Sequence, residues 1–354
     1  MTGKQAQSIQ AADSSRALFH EMIGSMREGV VMVDVTSTVT AFNPAAQVMF
    51  GDTAVNGQRS LSDIISDEKI HAAFRDALES GMRSELQTEI VVKNDKRVYD
   101  LRVAPLSFAD SKSAIGIFYD ITRLERLERV RQAFLSNVSH ELRTPLTSIL
   151  AFCETLADGA LDDPQNNRRF LEIIRRNAER MHHLIDDILE LSSIEAGKTK
   201  INPKYFSLSP LVNDIWASRA EKSQGHGLAF KNEVPADVVI FADPRRVEQI
   251  LINLIDNAIK FNIPGGEVIV SYQRSAGQYH IQVSDTGEGM AAEHLPRIFE
   301  RFYRADAARS RELGGTGLGL AIVKHLSRLH GGEARVFSTV GTGTTFIIDL
   351  PAEA

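Results

Sequence analysis

The chain has 354 residues, 43% of them hydrophobic and 24% charged, with a formal net charge of -6. This is the composition of an ordinary globular protein long enough for two or three domains, and its mild acidity argues against a nucleic-acid partner. No run is apolar enough for a membrane span and no signal peptide is evident. The single cysteine, Cys153, excludes an internal disulfide and fits a reducing, cytoplasmic setting.

Residues 1–15 are polar and are expected to form a flexible N-terminus. Residues 29–34 read as a short apolar strand and 39–43 as a second, with a turn at Thr36-Ser37. Pro44 to Gly51 reads as a short helix with Asn43 as N-cap, Pro44 in the first turn and Gly51 ending it. Residues 70–78 form an amphipathic helix, and 85–92, 97–105 and 114–120 alternate like three antiparallel strands. Together with Glu28-Gly29-Val30, Asp34, Asn43-Pro44-Ala45, Phe50-Gly51 and Asp120-Ile121-Thr122, this order resembles a PAS sensor domain over residues 16–121. PAS folds hold haem, flavin, a small metabolite or nothing. The region lacks the cysteine of a light-sensing flavin pocket. His71 is a haem-ligand candidate, but a lone histidine on a helix is more often a surface or core residue. The expectation is a dimerisation and relay module without cofactor, the identity of any PAS ligand being unknown.

Residues 120–129 carry charges and heptad-spaced leucines without Gly or Pro, and so read as a continuous helical connector. Beyond them Leu127, Phe134, Val138, Leu142, Ile149, Cys153 and Leu156 keep the period of a helical seam, which assigns Cys153 to packing. His140 falls between seam positions and points outward. Its imidazole is largely neutral, hence nucleophilic, at cytosolic pH. Glu141 is placed to take or orient the proton on the other ring nitrogen. Pro145 removes a backbone donor and should bend the helix. After a loop at 158–164, Phe170, Ile173, Ile174, Met181, Leu184, Ile185, Ile188 and Leu191 form one stripe of a second helix that stops near Ala196-Gly197. A two-helix hairpin cannot bury both stripes alone, and a homodimeric four-helix bundle solves this. The run Ser136-Asn137-Val138-Ser139-His140-Glu141-Leu142-Arg143-Thr144-Pro145-Leu146 resembles the phospho-acceptor box of sensor histidine kinases. Residues 122–200 are then the connector and dimerisation/phosphotransfer domain. Connector and box also resemble the phosphate-regulon sensor type.

Residues 205–354 mix helices (208–220, 245–260) with strands (267–273, 278–284, 333–338, 344–349), an α+β sandwich. Four stretches carry polar residues that a plain fold does not need. Asn253, Asn257 and Lys260 share one helix face, where asparagine is a poor helix former. Amide oxygens suit Mg²⁺ and the cation suits phosphate. Asp285-Thr286-Gly287-Glu288-Gly289-Met290 follows a strand, and its glycines admit a close ring. Phe299-Glu300-Arg301-Phe302-Tyr303-Arg304 is apolar and basic at once. Gly314-Gly315-Thr316-Gly317-Leu318-Gly319-Leu320 opens a helix whose N-terminus exposes donors to phosphate. A last turn, Gly341-Thr342-Gly343-Thr344, precedes the final strand.

In this order the stretches resemble the N, G1, F and G2 boxes of the histidine-kinase ATPase domain, a Bergerat-type α/β sandwich shared with Hsp90-type chaperones and type II topoisomerases. The resemblance implies that Asn257 coordinates Mg²⁺ and Asp285 reads adenine. It also implies that Asn253, Lys260 and Arg304 contact the phosphates, that Gly287, Gly289, Gly315, Thr316, Gly317, Leu318, Gly319 and Thr344 line the site, and that residues 299–315 form a lid. Phe261 stands where the family often has tyrosine. The whole is then expected to be a multidomain α+β two-component kinase using ATP and Mg²⁺. His140 autophosphorylates and passes the phosphoryl group to an aspartate of a response regulator, and Thr144, one turn on, serves regulator dephosphorylation. A chaperone- or topoisomerase-like ATPase is the competing reading, opposed by the acceptor box. A signalling scaffold with a dead site is another, opposed by the intact Asn257, Asp285 and glycine loops.

Overall fold

The computed structural model describes residues 21–51, 59–92, 95–108, 111–163, 165–219, 227–306 and 315–352. The expected flexible segment 1–15, Gly314 and much of the expected lid lie outside them. The chain divides into two compact units, one ending at Ala133 and the other running from Phe134 to Ala354.

In the first unit, strands β1 (Gly29–Asp34), β2 (Val39–Phe42), β3 (Ser84–Val92), β4 (Asp95–Phe108) and β5 (Ser111–Asp120) form an antiparallel sheet in the order β2-β1-β5-β4-β3. Helix α1 (Pro44–Phe50) begins at Asn43, as the sequence predicts, and Gly51 caps its end. Asn43 is 3% exposed and uses its whole amide. Its oxygen accepts from Val30 N at 2.8 Å and Ala46 N at 2.9 Å, while its nitrogen donates to the carbonyls of Ile23 and Glu28. Helix α2 (Glu68–Ser80) buries Ile70, Ala73, Phe74, Ala77 and Leu78 at three- and four-residue spacing. They pack with Tyr99, Leu101 and Phe118, and Phe50 meets Phe118 edge-on at 4.9 Å. The ring Nε2 of His71 lies 2.7 Å from the Ile65 carbonyl, the bond of an ordinary half-buried histidine.

Helix α3 (Thr122–Ala157) starts where Asp120 accepts from Thr122 N at 2.9 Å, and it continues through Pro145 rather than ending there. Helix α4 (Asn167–Glu195) returns antiparallel and stops before Gly197, whose φ of 66° favours glycine. Phe152 and Phe170 join the two helices at 5.3 Å. Of the seam residues, Cys153 and Leu127 are exposed in the single chain, whereas Phe134, Val138, Leu142 and Ile149 are half-buried and Leu156 is buried. One hairpin has too little apolar surface facing it to cover the full stripe.

The C-terminal part holds α5 (Leu208–Ala217), α6 (Pro244–Lys260) and α7 (Gly319–Leu329). They pack on a sheet of β7 (Ala229–Asn232), β9 (Glu267–Ser275), β10 (Gln278–Asp285), β11 (Glu333–Thr339) and β12 (Gly343–Pro351), ordered β11-β12-β10-β9-β7. Only β7 against β9 is parallel within that sheet. Strands β6 (Lys204–Ser207) and β8 (Val239–Ala242) pair separately. These two and β7 were not expected, because KYFS, AFKN and VIFA do not alternate apolar with polar. Leu251, Leu254 and Ile255 of α6 meet Val268, Val270, Ile281 and Val283 of the sheet in one apolar cluster. Leu184, Leu191 and Ile194 of α4 join the same cluster, each burial contributing about 1.5–3 kcal/mol. That shared core makes hairpin and sandwich one unit.

On the other face of the sheet Asp349 takes His280 Nδ1 at 2.5 Å and Arg335 through two nitrogens at 2.6 and 2.9 Å, and His280 Nε2 meets Ser275 Oγ at 2.8 Å. Burial raises the Asp349 carboxyl, but the bonds from Arg335 and His280 outweigh it and hold the group below its ordinary range. The chelating Arg335 makes this a tie across β9 to β12.

Candidate active site

Helix α6 presents Asn253, Asn257 and Lys260 on one half-buried face. Among the described residues neither amide has a hydrogen-bond partner, and Lys260 Nζ sits 5.4 Å from the Phe261 ring centre. At the end of β10, Asp285 Oδ1 accepts from Gly287 N at 2.8 Å and Thr344 N at 3.3 Å. Burial pushes its pKa up to about 6, against those two bonds. A Cβ on Gly287 would strike the Phe261 carbonyl and reach 2.8 Å from Asp285 Oδ1. Gly289 lies equally close to the Thr339 carbonyl, at a φ of 67°. Buried Thr344 is held by Ser338 Oγ at 2.9 Å, which also accepts from Met290 N. The two glycine turns are thus packed backbone to backbone around one carboxylate.

A second cluster is built at the start of α7. Phe302 N donates to the Gly317 carbonyl at 2.8 Å, and Gly317 leaves no room for a side chain, its Cβ falling 2.9 Å from Phe302 Cα. Phe302 itself sits at a φ of 61°, a strain of about 1–3 kcal/mol. Leu318 N donates to Thr316 Oγ1 at 3.2 Å. A Cβ on Gly319 would lie 3.1 Å from Asn253 Oδ1, so the helix start faces the asparagine row. The Arg304 side chain is 7% exposed, and its Nε is buried without a partner among the described residues. Bare amides, an orphaned guanidinium nitrogen and turns that admit no Cβ fit a nucleotide and its phosphates.

On the hairpin, His140 is exposed, and Thr144 Oγ1 donates to its carbonyl at 3.2 Å. Glu141 does not stand free beside it. Its Oε2 accepts from Arg180 at 3.0 Å and from Arg304 at 2.9 Å. Asp187 of α4 accepts from Thr316 Oγ1 at 2.7 Å. Burial raises the Asp187 carboxyl, opposed by the Thr316 bond. Phe134 meets Phe302 at 5.7 Å, and the Arg301 guanidinium lies over the Phe134 ring at 5.3 Å. Sequence reasoning missed Arg180 and Asp187, and it singled out Phe302 only as part of the stretch 299–304. The paired Asp186-Asp187 after His182-His183 was the only signal, and it carries no partner information.

Three family models match in order: a PAS domain over residues 27–123, the His Kinase A phospho-acceptor domain over 130–197, and the histidine kinase-, DNA gyrase B- and HSP90-like ATPase over 242–354. One chain thus carries, in order, a PAS domain, a histidine-kinase phospho-acceptor domain and a histidine-kinase-like ATPase domain. Sensor histidine kinase WalK of Bacillus subtilis is 30% identical over 96% of this chain and 56% of its own length. Sensor protein SrrB of Staphylococcus aureus is 30% identical over 97% and 57%. The chain therefore spans about half the length of these curated relatives. The fold is shared with the Acinetobacter baumannii histidine kinase AdeS (24% identity, TM-score 0.52, 61% of this chain and 98% of that one). It is shared too with the histidine kinase ThkA, solved with response regulator TrrA (23%, 0.52, 92% and 95%). Among the described residues no helix is long and apolar enough to cross a membrane.

Proposed function

We propose that this kinase transfers the γ-phosphoryl group of ATP to His140 and then to an aspartate of a response regulator. The observation that carries the reading is a single unit holding both an exposed histidine in an acceptor box and an ATPase site with unpartnered Asn253 and Asn257. A neutral His140 nitrogen attacks γ-phosphorus as the bond to ADP breaks, and Glu141 receives the proton from the other ring nitrogen. Asp285 accepts from the exocyclic amine of adenine. Asn253, Lys260, Arg304 and Thr316 hold phosphate oxygens at the α7 N-terminus, lined by Gly315, Gly317, Leu318 and Gly319. Mg²⁺ would neutralise the leaving phosphates, with Asn257 as its protein ligand. Thr144, one turn from His140, positions a water for regulator dephosphorylation.

A homodimer is supported by the exposed Leu146, Leu150, Leu171, Ile185 and Leu189 of the hairpin, which a second copy would cover. Dependence on ATP supports a cytoplasmic site of action. We assign residues 16–121 to the sensor domain, 122–200 to connector and phosphotransfer, and 205–354 to catalysis. The test is the chemistry of the label. Wild type should acquire an acid-labile, base-stable phosphate, and His140→Ala should lose it while still binding ATP. An acid-stable label would point to a hydroxyl acceptor and overturn the assignment.

A further inference from the structure

Among the described residues, four acids on the hairpin side hold the sandwich. Glu141 holds Arg304, Asp187 holds Thr316, Glu190 holds Arg246 at 2.5 Å, and Glu195 holds Arg301. Two of the four held groups, Arg304 and Thr316, are the phosphate donors of the proposed function, on which this inference rests. Each gives a donor to a carboxylate oxygen, the same chemistry that a phosphate oxygen offers. The buried Arg304 Nε without a partner shows that one carboxylate satisfies that guanidinium only in part. A triphosphate, with several anionic oxygens, would satisfy it further.

We propose that Glu141 and Asp187 are internal phosphate surrogates, so that docking of the hairpin acids and binding of the nucleotide phosphates exclude one another. The consequence is a switch within one unit. With the acids seated, Arg304 and Thr316 are occupied and Glu141 is engaged by both Arg180 and Arg304. When phosphates arrive, Arg304 and Thr316 change partners, and Glu141 loses one of its two guanidinium contacts. Nucleotide binding thereby releases the group that the transfer step needs. By linkage, whatever factor the acids subtract from ATP affinity, ATP subtracts from their docking. Asp187 is a positioning residue here, since it acts through Thr316.

The test is nucleotide affinity of the full chain, wild type against Asp187→Asn, measured by calorimetry with Mg·ATP, Mg·ADP and adenosine. Losing one charge-assisted competitor should tighten ATP by about tenfold. ADP should tighten less and adenosine not at all, because adenosine does not reach Thr316. Hydrogen exchange of α4 around Asp187 should rise when ATP is added to wild type. Unchanged or weakened ATP binding in Asp187→Asn would overturn the proposal, as would equal tightening of ATP and adenosine. A wild-type chain that binds no nucleotide would overturn the ATP-site reading itself, and the two failures are distinguishable in the wild-type titration alone.

Discussion

Asn43 in the first unit and Asn257 in the second are the same side chain in opposite roles. Asn43 is almost fully buried, and every polar atom of its amide is bonded to backbone, capping α1 and fixing β1. Asn257 sits half-buried on a helix face, where neither it nor Asn253 has a partner among the described residues. Asn262, a few residues on, behaves like Asn43: it donates to the Glu267 carbonyl and accepts from Ile263 N. An asparagine with its bonds complete is explained by the fold. One held in place and left incomplete, at a cost in helix propensity, calls for a ligand. The difference lies in bonding, and residue type alone does not reveal it.

The comparison breaks down where fold and site use the same atom, and there the largest effect is expected. Gly289→Val forces a branched side chain into a left-handed backbone against the Thr339 carbonyl. It should destabilise the catalytic part by about 3 kcal/mol or more in urea unfolding and remove nucleotide binding with it.

Thr144→Ala asks to which class Thr144 belongs. Among the described residues its side chain bonds only to the His140 carbonyl, a bond of the fold. A site role predicts autophosphorylation like wild type, a stability change within about 0.5 kcal/mol, and loss of most dephosphorylation of a phosphorylated regulator. Unchanged dephosphorylation would return Thr144 to the company of Asn43.

Asp285 gives the smallest and most graded effect. For the proposed contact with adenine its carboxyl must be ionised, and burial raises its pKa to about 6. ATP affinity should therefore fall by up to about tenfold for each pH unit below 6. The stability sign is the reverse. The folded pKa lies above the unfolded value, so the contribution is fully present below the unfolded pKa and lost as pH rises through about 6. Asp285→Asn should raise the melting temperature at pH 7.5 and remove this pH step from ATP binding. A step that persists in the variant would assign it to another group.

Local patterns were legible in the sequence and long-range bonds were not. The Asn43-Pro44 helix start, the α3–α4 hairpin and the N-face of α6 each announce themselves within a few turns, and each stands where it was read. The pairs Glu141–Arg304 and Asp187–Thr316 join residues 163 and 129 positions apart, so no window of sequence contains them. Cys153 is exposed in one chain, and its heptad position would be covered only by the second copy that the proposed bundle supplies. The strands β6, β7 and β8 carry no apolar–polar alternation to read.

The central claim is that unbonded polar groups mark the nucleotide site and bonded ones hold the fold. The direct measurement is a pair of variants, Asn257→Ala and Asn43→Ala, each followed by thermal unfolding and by Mg·ATP titration. Asn257→Ala should unfold like wild type and lose ATP affinity by about 100-fold or more. Asn43→Ala should lose about 2–4 kcal/mol by stranding buried donors and acceptors, with ATP affinity unchanged. If Asn257→Ala instead destabilises the chain as much as Asn43→Ala while still binding Mg·ATP, the unpartnered amides belong to the fold and the account is contradicted.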